Sequence, residues 1–241
     1  MRPAIILFAK APVAGNVKTR LQARLGAEAT LALHEAFVLD MLDKLLTLSE
    51  LADIELHTDT KTDVWRRAKV TGRVQVAGDL GLKMLHALST ALARGREQVC
   101  IVGSDAPTLP AAHLRALLSS PADVALGPCE DGGYYAIACR RTHAAMFYGV
   151  QWSSAEALSQ TEQAARACGL SVERGQGWYD VDRPEDLLRL LHDGDLPPRV
   201  RRWFMQSSGD THTSRCPEAS APAEGNTRRR RPARVGPPRR S

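Results

Sequence analysis

The sequence predicts an α/β protein with a mostly parallel central sheet that is covered by helices on both faces. Apolar strand-like segments alternate almost strictly with segments of helical periodicity between residues 3 and 192. The predicted strands are short and apolar on both faces, as is typical of buried parallel sheets. Ligands of such sheets bind outside the carboxyl ends of the strands, so the loops that follow the strands become the candidate functional segments.

The first four predicted strands and the helices between them follow from the position of apolar residues. The strands are apolar runs that end in polar loops: 3–9, 54–58, 73–77 and 98–102. The helices carry apolar residues at a spacing of three or four, and we predict them over 27–48, 62–65 and 80–93. Thr62 and Asp63 offer a cap for the short helix, and Gly95 ends the last one.

The second half of the alternating region continues the same pattern. A helix over 110–118 has proline in its first turn, and a helix over 154–168 is closed by Gly169. Proline at position 184 opens a last helix over 184–191. Three further strands are predicted, at 123–127, 134–138 and 171–174.

Composition predicts one domain and a tail. The chain has 241 residues and is 44% hydrophobic, which suits a single domain over residues 1–206. Residues 207–241 are rich in Ser, Gly, Pro, Ala and Arg, so we predict a disordered tail. The net charge of +5 resides in that tail, which has eight Arg and three acids. Any attraction to nucleic acid belongs to the tail, which lacks aromatic residues for base stacking.

Membrane insertion and export are not expected. No apolar run approaches the roughly 18 residues of a membrane helix. The N-terminal apolar run ends at Lys10, too early for a signal peptide, so a cytoplasmic location is expected. Four cysteines in apolar or helical contexts are predicted to be reduced core thiols: Cys100, Cys129, Cys139 and Cys168.

The loop after the first strand carries three cations within eleven residues. Lys10, Lys18 and Arg20 flank the small residue Gly15. Loop amides and cationic side chains are what a phosphate or diphosphate requires, so we predict phosphate binding here. The spacing is neither a Walker A loop nor G-x-G-x-x-G. The alternative is a solvated basic loop.

A second segment, Gly103-Ser104-Asp105, follows the predicted strand at 98–102. Its position allows Asp105 to reach a divalent ion, with Ser104 or backbone groups orienting it. Mg²⁺ and Mn²⁺ take one or two carboxylates together with phosphate oxygens. The alternative is that Asp105 closes a turn or caps the following helix.

A third segment joins the strands at 123–127 and 134–138 through an acidic, glycine-rich turn. Gly132 and Gly133 would let main chain lie against a flat ligand such as a sugar or a base. Asp131 could accept hydrogen bonds from hydroxyl groups, and Tyr134 could stack. Taken alone, the pattern also fits an ordinary Asp-Gly hairpin.

A fourth segment places Asp180 and Asp182 at strand spacing, so both share one face. One acid could cap the helix that begins at Pro184, leaving the other as a second metal ligand; double capping is the alternative. Asp79 and Ser154 are either N-caps or ligand contacts. No nucleophilic triad or histidine cluster is visible, which argues against hydrolase and zinc chemistry.

Together these segments resemble the nucleotide-diphospho-sugar transferase superfamily, with its glycosyltransferase-A type fold. More narrowly, they resemble a bacterial family of glycosyltransferase-like transferases associated with radical-SAM and selenodomain gene clusters, also labelled arsenosugar-biosynthesis glycosyltransferases. Six motifs occur in the family's order across about residues 3–192: Phe8–Pro12 with Gly15-x-x-Lys18-Thr19-Arg20, Gly78–Gly81, Gly103-Ser104-Asp105-x-Pro107, Leu126–Pro128 with Asp131–Tyr135, and Asp180–Leu187.

The resemblance implies a three-layer α/β/α sandwich and a nucleotide site built from the first loop and Asp79, with Ala9, Gly103 and Ser104 beside it. It also implies Asp105 as a ligand of Mg²⁺ or Mn²⁺, with Asp182 or else Asp180 as the second. Two departures concern Lys83, where the family often has Arg, and Trp152-Ser153-Ser154, where it often has W-S-T. A changed loop there leaves the identity of the acceptor open.

Three functions follow from this interpretation. The first is glycosyl transfer from a nucleotide sugar to a small acceptor, with Asp105, Lys18 and Arg20 as catalytic residues. The sugar and acceptor contacts would then be Asp131, Gly132, Gly133, Tyr134, Trp152 and Ser153. The second is nucleotidyl transfer from a nucleoside triphosphate to a phosphorylated acceptor, because the lone acid at 105, without a D-x-D motif, resembles the nucleotidyltransferases of the superfamily. The third is a non-catalytic nucleotide-binding or scaffold protein with a basic tail.

Overall fold

A computed structural model describes residues 2–65 and 70–209. Seven strands are present there: β1 (Ala4–Ala9), β2 (Asp53–Thr58), β3 (Thr71–Val74), β4 (Val99–Gly103), β5 (Val124–Pro128), β6 (Tyr134–Cys139) and β7 (Val172–Arg174). Seven α-helices accompany them: α1 (Thr19–Leu25), α2 (Ala27–Leu46), α3 (Leu80–Ala93), α4 (Ala111–Ser119), α5 (Ala157–Ala167), α6 (Pro184–His192) and α7 (Pro198–Gly209).

The strands form one sheet in the order β3-β2-β1-β4-β6-β5-β7. All pairs are parallel except those made by β6, which runs antiparallel to both β4 and β5. The β5–β6 turn therefore lies at the same edge of the sheet as the carboxyl ends of β1 and β4. This single reversal brings the turn to the edge where ligands of parallel sheets bind.

Helices cover both faces of the sheet, which confirms the predicted three-layer architecture. On one face, α2 and α4 pack on alternate residues of β1 and β4, for example Ile5 and Cys100. On the other face, α3 and α5 pack on the intervening residues, for example Ile6 and Ile101. Alternation along each buried strand explains why both faces are apolar in the sequence.

A third apolar cluster lies beyond the sheet and joins α1, α2, α6 and α7. It contains Leu21, Phe37, Val181, Leu187 and Trp203, all buried. Because Val181 belongs to this cluster, the segment between Asp180 and Asp182 is held by packing on one side. The two acids on either side of Val181 are thereby turned toward the sheet edge.

Several elements differ from those predicted. Helix α1 takes the last two residues of the predicted loop, Thr19 and Arg20, and continues to Leu25, where no element is predicted. Helix α7 and a 3₁₀-helix at Ala144–Phe147 are not among the predicted helices either. Residues 62–65 form no helix, and the following residues 66–69 lie outside the described part. The third strand occupies Thr71–Val74 rather than 73–77, because it is an exposed edge strand without an apolar run.

The predicted tail can be compared with the structure only at its start. Residues 207–209 belong to α7, and residues 210–241 lie outside the described residues. Within the described chain, no helix combines the length and the apolar character needed to cross a bilayer.

Candidate functional site

A cleft of about 590 Å³ opens at the carboxyl ends of the strands. It lies above β1 and β4 and extends toward β2 and β3 on one side and toward the β5–β6 turn on the other. Its lining includes fourteen of the predicted site residues: Ala9, Lys10, Lys18, Arg20, Gly103, Ser104, Asp105, Asp131, Gly133, Tyr134, Trp152, Ser153, Asp180 and Asp182. Four sequence segments that are distant in the chain therefore meet in one place.

Lys18 lies at the centre of the charged part of the cleft. Its Nζ donates to Asp105 Oδ1 at 2.8 Å and to the carbonyl oxygen of Val181 at 2.7 Å. The same Nζ lies 3.9 Å from Asp182 Oδ1 and 4.7 Å from the centre of the Phe37 ring. With its side chain only 3% exposed, Lys18 is a buried link between two acids rather than a free surface cation.

The backbone at Lys18 explains how the side chain reaches this position. Lys18 is the N-cap of α1 and has φ 42° and ψ 49°, a left-handed conformation that is uncommon for residues other than glycine. Val17 and Leu21 on either side are buried and anchor the turn. Strain of this kind persists where the surroundings impose it, and it is often found at functional sites.

The segment around Asp182 is hydrogen-bonded to the loop that follows β4. The N–H of Val181 donates to the carbonyl oxygen of Asp105 at 2.8 Å. Asp186 Oδ2 accepts from the N–H groups of Asp182 and Arg183 at 2.9 and 2.7 Å. Asp186 thus supplies the carboxylate at the start of α6, so the double-capping alternative for Asp180 and Asp182 is wrong.

The carboxylates of the cleft influence one another. Partial burial alone would raise the pKa of Asp105, but the Lys18 ammonium and the hydrogen bond from it hold that pKa below its usual value. Burial and the neighbouring Asp105 raise the pKa of Asp182. Burial, together with Asp131 and Asp182, raises the pKa of Asp180 to about 6. The acids outnumber what the local cations neutralise, which favours the binding of a further cation.

A divalent metal is compatible with the donor atoms present. Asp105 and Asp182 both lie within reach of the same lysine Nζ, so their oxygens converge. The ligand-capable atoms of Cys129, Asp131 and Asp180 lie within 4.8 Å of one another. Carboxylate oxygens suit Mg²⁺ and Mn²⁺, whereas the Cys129 thiol does not, and burial keeps the pKa of that thiol well above its usual range. An Mg²⁺ or Mn²⁺ ligand role therefore stays a prediction for Asp105, Asp180 and Asp182.

Three predicted site residues do not line the cleft. Asp79 is the N-cap of α3, where its Oδ1 accepts from the N–H of Leu82 at 2.8 Å. Gly15 has φ 86° and forms part of the turn before α1. Gly132 has φ 88°, and a Cβ there would lie 2.0 Å from the carbonyl oxygen of Ala155. Gly132 therefore permits a close approach of two protein segments rather than a contact with ligand.

The β5–β6 turn and the segment before α5 form the opposite wall. Asp131 Oδ1 accepts from the N–H of Gly133 at 2.9 Å, and the N–H of Leu158 donates to the carbonyl oxygen of Gly132 at 3.0 Å. Tyr134 directs its hydroxyl to Met84 Sδ at 3.8 Å, so its ring, but not its hydroxyl, is offered to the cleft. Ser153 has φ 62° and turns the chain beside Trp152.

Several lining residues were missed by the sequence reasoning. His34 projects from α2, and its Nε2 lies 2.9 Å from the carbonyl oxygen of Lys10. Asp59 follows β2, and Gln75 follows β3. Lys83 projects from α3 into the same cleft. The rule about strand ends could have identified Asp59, whereas Gln75 lies inside the strand predicted at 73–77 and a lone histidine within a helix gives no signal. Cys129, predicted as a core thiol, also lines the cleft.

Comparison with solved structures supports the fold and gives one near relative. A protein from Desulfovibrio desulfuricans G20, provisionally described as a nucleotide-diphospho-sugar transferase, is 30% identical and superposes with a TM-score of 0.75. The match covers 88% of this chain and 96% of that one. A CMP:2-keto-3-deoxy-manno-octonic acid synthetase, solved with CTP, has a TM-score of 0.52 at 11% identity and shares the fold.

Comparison with curated proteins gives two relatives that bear the same enzyme name. The 2-phospho-L-lactate guanylyltransferase of Methanosarcina acetivorans is 28% identical over 192 residues, covering 76% of this chain and 86% of that protein. The namesake enzyme of Methanosarcina mazei is 26% identical over 186 residues, covering 73% and 84%.

A family model matches residues 21–154, which contain β4, Asp105 and the β5–β6 turn. The family is described as "uncharacterized protein conserved in bacteria (DUF2064)". The match spans more than half of the chain, and the chain therefore belongs to the DUF2064 family.

Proposed function

We propose that this protein is a metal-dependent nucleotidyltransferase that joins a nucleoside triphosphate to a phosphorylated small molecule. One observation carries the proposal: Asp105 and Asp182 converge on Lys18 at the carboxyl ends of the parallel strands, beside exposed cations. Such an arrangement suits a triphosphate, since it combines carboxylates for a divalent ion with positive charge for phosphate oxygens. The two methanogen relatives named as guanylyltransferases support the same reaction class.

The reaction is an in-line displacement at the α-phosphorus of the donor. A phosphate oxygen of the acceptor forms a bond to that phosphorus, and the bond to the bridging oxygen of the β-phosphate breaks. Pyrophosphate leaves with the electron pair, and the product contains a diphosphate linkage. Catalysis of this step consists mainly of positioning the reactants and stabilising charge on the phosphate oxygens.

Two exposed cations are available for the phosphates. Arg20 is 56% exposed, and its NH1 lies 3.4 Å from Asp182 Oδ2. Lys10 Nζ donates to the carbonyl oxygen of Asn16 at 3.2 Å and has no carboxylate partner among the described residues. These side chains can turn to phosphate oxygens and take up the charge of the leaving pyrophosphate.

Lys18 has a different task. Its ammonium already donates to Asp105 and to Val181, so it positions the Asp105 carboxylate and keeps it ionised. Asp105, with Asp182 or Asp180, would hold Mg²⁺ or Mn²⁺. When bound, the ion would neutralise charge on the phosphates and orient them.

The acceptor is expected on the side of the β5–β6 turn. Asp131, Gly133, Tyr134, Trp152 and Ser153 form that wall, and they offer a carboxylate, a hydroxyl and aromatic surface. A small phosphorylated molecule could lie between this wall and the metal ligands. Glycosyl transfer, which the sequence analysis places first, remains the second candidate, because the Desulfovibrio relative carries a nucleotide-sugar description.

The two reactions release different products, pyrophosphate or nucleoside diphosphate, so measuring the released product distinguishes them. The protein is incubated with Mg²⁺ or Mn²⁺, each of the four common nucleoside triphosphates and a panel of phosphorylated hydroxy acids that includes 2-phospho-L-lactate. Parallel reactions contain nucleotide sugars in place of triphosphates. Pyrophosphate released only with an acceptor supports nucleotidyl transfer. Release of nucleoside diphosphate from a nucleotide sugar, without pyrophosphate release from triphosphates, would refute it.

A further inference from the structure

Asp59 occupies the carboxyl end of β2 and lines the cleft. Its Oδ1 accepts hydrogen bonds from the N–H groups of Ala11 and Thr60, at 2.6 and 2.9 Å. Within residues 2–65 and 70–209, no hydrogen bond or ion pair reaches its Oδ2. One oxygen thus fixes the carboxylate against the loop after β1, and the other is available to a ligand.

Strand register shows how far Asp59 lies from the metal ligands. Ala9 pairs with Thr58, Thr58 pairs with Val74, and Phe8 pairs with Gly103. Asp59 is therefore level with Lys10 and Gln75 across the sheet edge, and Asp105 is level with Lys10 on the other side. Neighbouring strands are about 4.8 Å apart, which puts Asp59 roughly 10 Å from Asp105.

A nucleotide fits this span. Its phosphates would lie near Asp105, and the ribose and base would extend toward β2 and β3. These strands belong to the all-parallel part of the sheet, which resembles the mononucleotide-binding half of doubly wound folds. Phe8, Ala9 and Leu80 line the cleft there and offer apolar surface to the face of a base.

Two polar side chains beside that surface have hydrogen-bond acceptors without a partner among the described residues, and Lys83 adds a cationic donor. Gln75 Nε2 donates to the carbonyl oxygen of His57 at 3.1 Å, which leaves the Gln75 Oε1 acceptor free of partners within the described chain. Asp59 Oδ2 is a second free acceptor and carries negative charge. A base that binds here must present N–H donors to these oxygens.

Guanine alone among the four common bases presents two adjacent N–H donors, N1–H and the 2-amino group, on one edge. Adenine presents an unprotonated N1 beside its amino group, and cytosine an unprotonated N3, so each would place a lone pair against the carboxylate. Uracil presents a single N–H between two carbonyl oxygens. We propose that Asp59 selects guanine by accepting hydrogen bonds from this edge, an inference that rests on the proposed function and names its donor as GTP.

The competing view is that Asp59 only anchors the loop through Ala11. Substitution Asp59→Asn separates the two, because the amide oxygen can still accept from Ala11 and Thr60 while the second oxygen becomes an NH₂ donor. That donor matches the 2-oxo group of xanthine. Binding of GTP, ITP, ATP, CTP and XTP to the wild-type protein and D59N is measured by calorimetry with Mg²⁺, and circular dichroism compares their folding.

The wild type is expected to bind GTP more tightly than ITP, which lacks the 2-amino group, and ITP more tightly than ATP or CTP. D59N should lose GTP affinity by roughly 10- to 100-fold and bind XTP more tightly than GTP. Equal affinity of the wild type for GTP and ITP, or an unchanged base preference in a folded D59N, overturns the proposed role of Asp59 and leaves the proposed function standing. A wild type that binds ATP or CTP as well as GTP does the same. Failure of the wild type to bind any triphosphate overturns the proposed function together with this inference.

Discussion

Lys18 Nζ and Asp105 Oδ1 lie 2.8 Å apart, although the two residues are separated by 87 positions in the chain. Replacing Lys18 by Met would keep the packing against Phe37 but leave the Asp105 carboxylate without its ammonium partner. We expect the free energy of unfolding to fall by about 1–3 kcal/mol, less than for a fully buried pair, because the Asp105 side chain is 43% exposed. Urea denaturation at pH 7 measures this.

The matched control for Lys18 is Lys10→Met. Lys10 is exposed, and within the described part of the chain its ammonium pairs with a backbone carbonyl alone, so its loss should change stability by no more than about 0.5 kcal/mol. A similar loss of unfolding free energy in both variants would show that the ion pair between Lys18 and Asp105 does not contribute to stability.

Asp105→Asn removes the charge at the centre of the proposed site while keeping its shape. If the acid holds the ion that orients the triphosphate, kcat/KM for pyrophosphate release should fall on the order of 10²- to 10³-fold. Glu50→Gln, at an exposed turn after α2, is the control and should retain full activity. An active D105N would remove Asp105 from the mechanism.

Glu55 predicts a dependence of stability on pH that is separate from catalysis. A hydrogen bond from His57, reinforced by Arg73, lowers the pKa of Glu55 from 4.5 to about 2. Since the folded pKa is the lower one, this stabilisation is present above pH 4.5 and is lost as the pH falls toward 2.

Glu55→Gln should therefore cost about 2 kcal/mol at pH 7, and the difference from the wild type should shrink below pH 4.5. Urea denaturation at pH 7, 4 and 3 provides the curve. A constant difference across this range would mean that packing, rather than charge, accounts for the loss.

Gly132 and Gly149 allow a matched test of the close contact between the β5–β6 turn and the Ala155 backbone. Both have positive φ, but a Cβ at Gly132 would meet the Ala155 backbone, whereas nothing lies within 4 Å of one at Gly149. Gly149→Ala should cost about 1–2 kcal/mol for its backbone conformation alone. Gly132→Ala should cost at least about 3 kcal/mol, because backbone must move. Equal melting temperatures for the two variants would contradict the close contact between the β5–β6 turn and the segment before α5.

Truncation tests the end of the folded domain. Deleting residues 210–241 should leave stability and nucleotide binding unchanged, since the predicted domain does not depend on the tail. Deleting residues 198–241 removes α7, whose Trp203 is buried and donates to the carbonyl oxygen of Ala29 at 3.0 Å. That loss should cost at least about 3 kcal/mol. Loss of binding in the shorter deletion would place the domain boundary elsewhere.

The sequence pattern predicted those helices and strands whose caps and apolar spacing are visible within the segment itself. Helix α3 was predicted with its observed bounds, because Asp79 caps it and its apolar residues face the sheet. Helix α7 was missed because it is rich in arginine and has few apolar residues, and its start is held by α2, where Asp40 accepts from the N–H groups of Arg199 and Val200. Helix α7 is therefore stabilised by contacts with residues distant in the sequence rather than by its own helical pattern.

The candidate site was predictable where residues directly follow strands. Asp105 and the cations of the first loop were identified by this rule, and the structure brings them together. The bridging of two acids by Lys18 was not predictable, because it depends on the left-handed turn at that residue and on the position of Val181. Asp79 was ambiguous from sequence, since a cap and a ligand contact require the same side chain.

The antiparallel strand β6 has a practical consequence for engineering. Because β6 lies between β4 and β5 and runs antiparallel to both, the wall opposite the candidate metal ligands comes from one continuous stretch, about residues 129–158, between β5 and the start of α5. Under the proposed function, exchanging that stretch between homologues would change the acceptor and leave the proposed triphosphate side in place. Such chimeras would form a set of catalysts with a common donor and different acceptors.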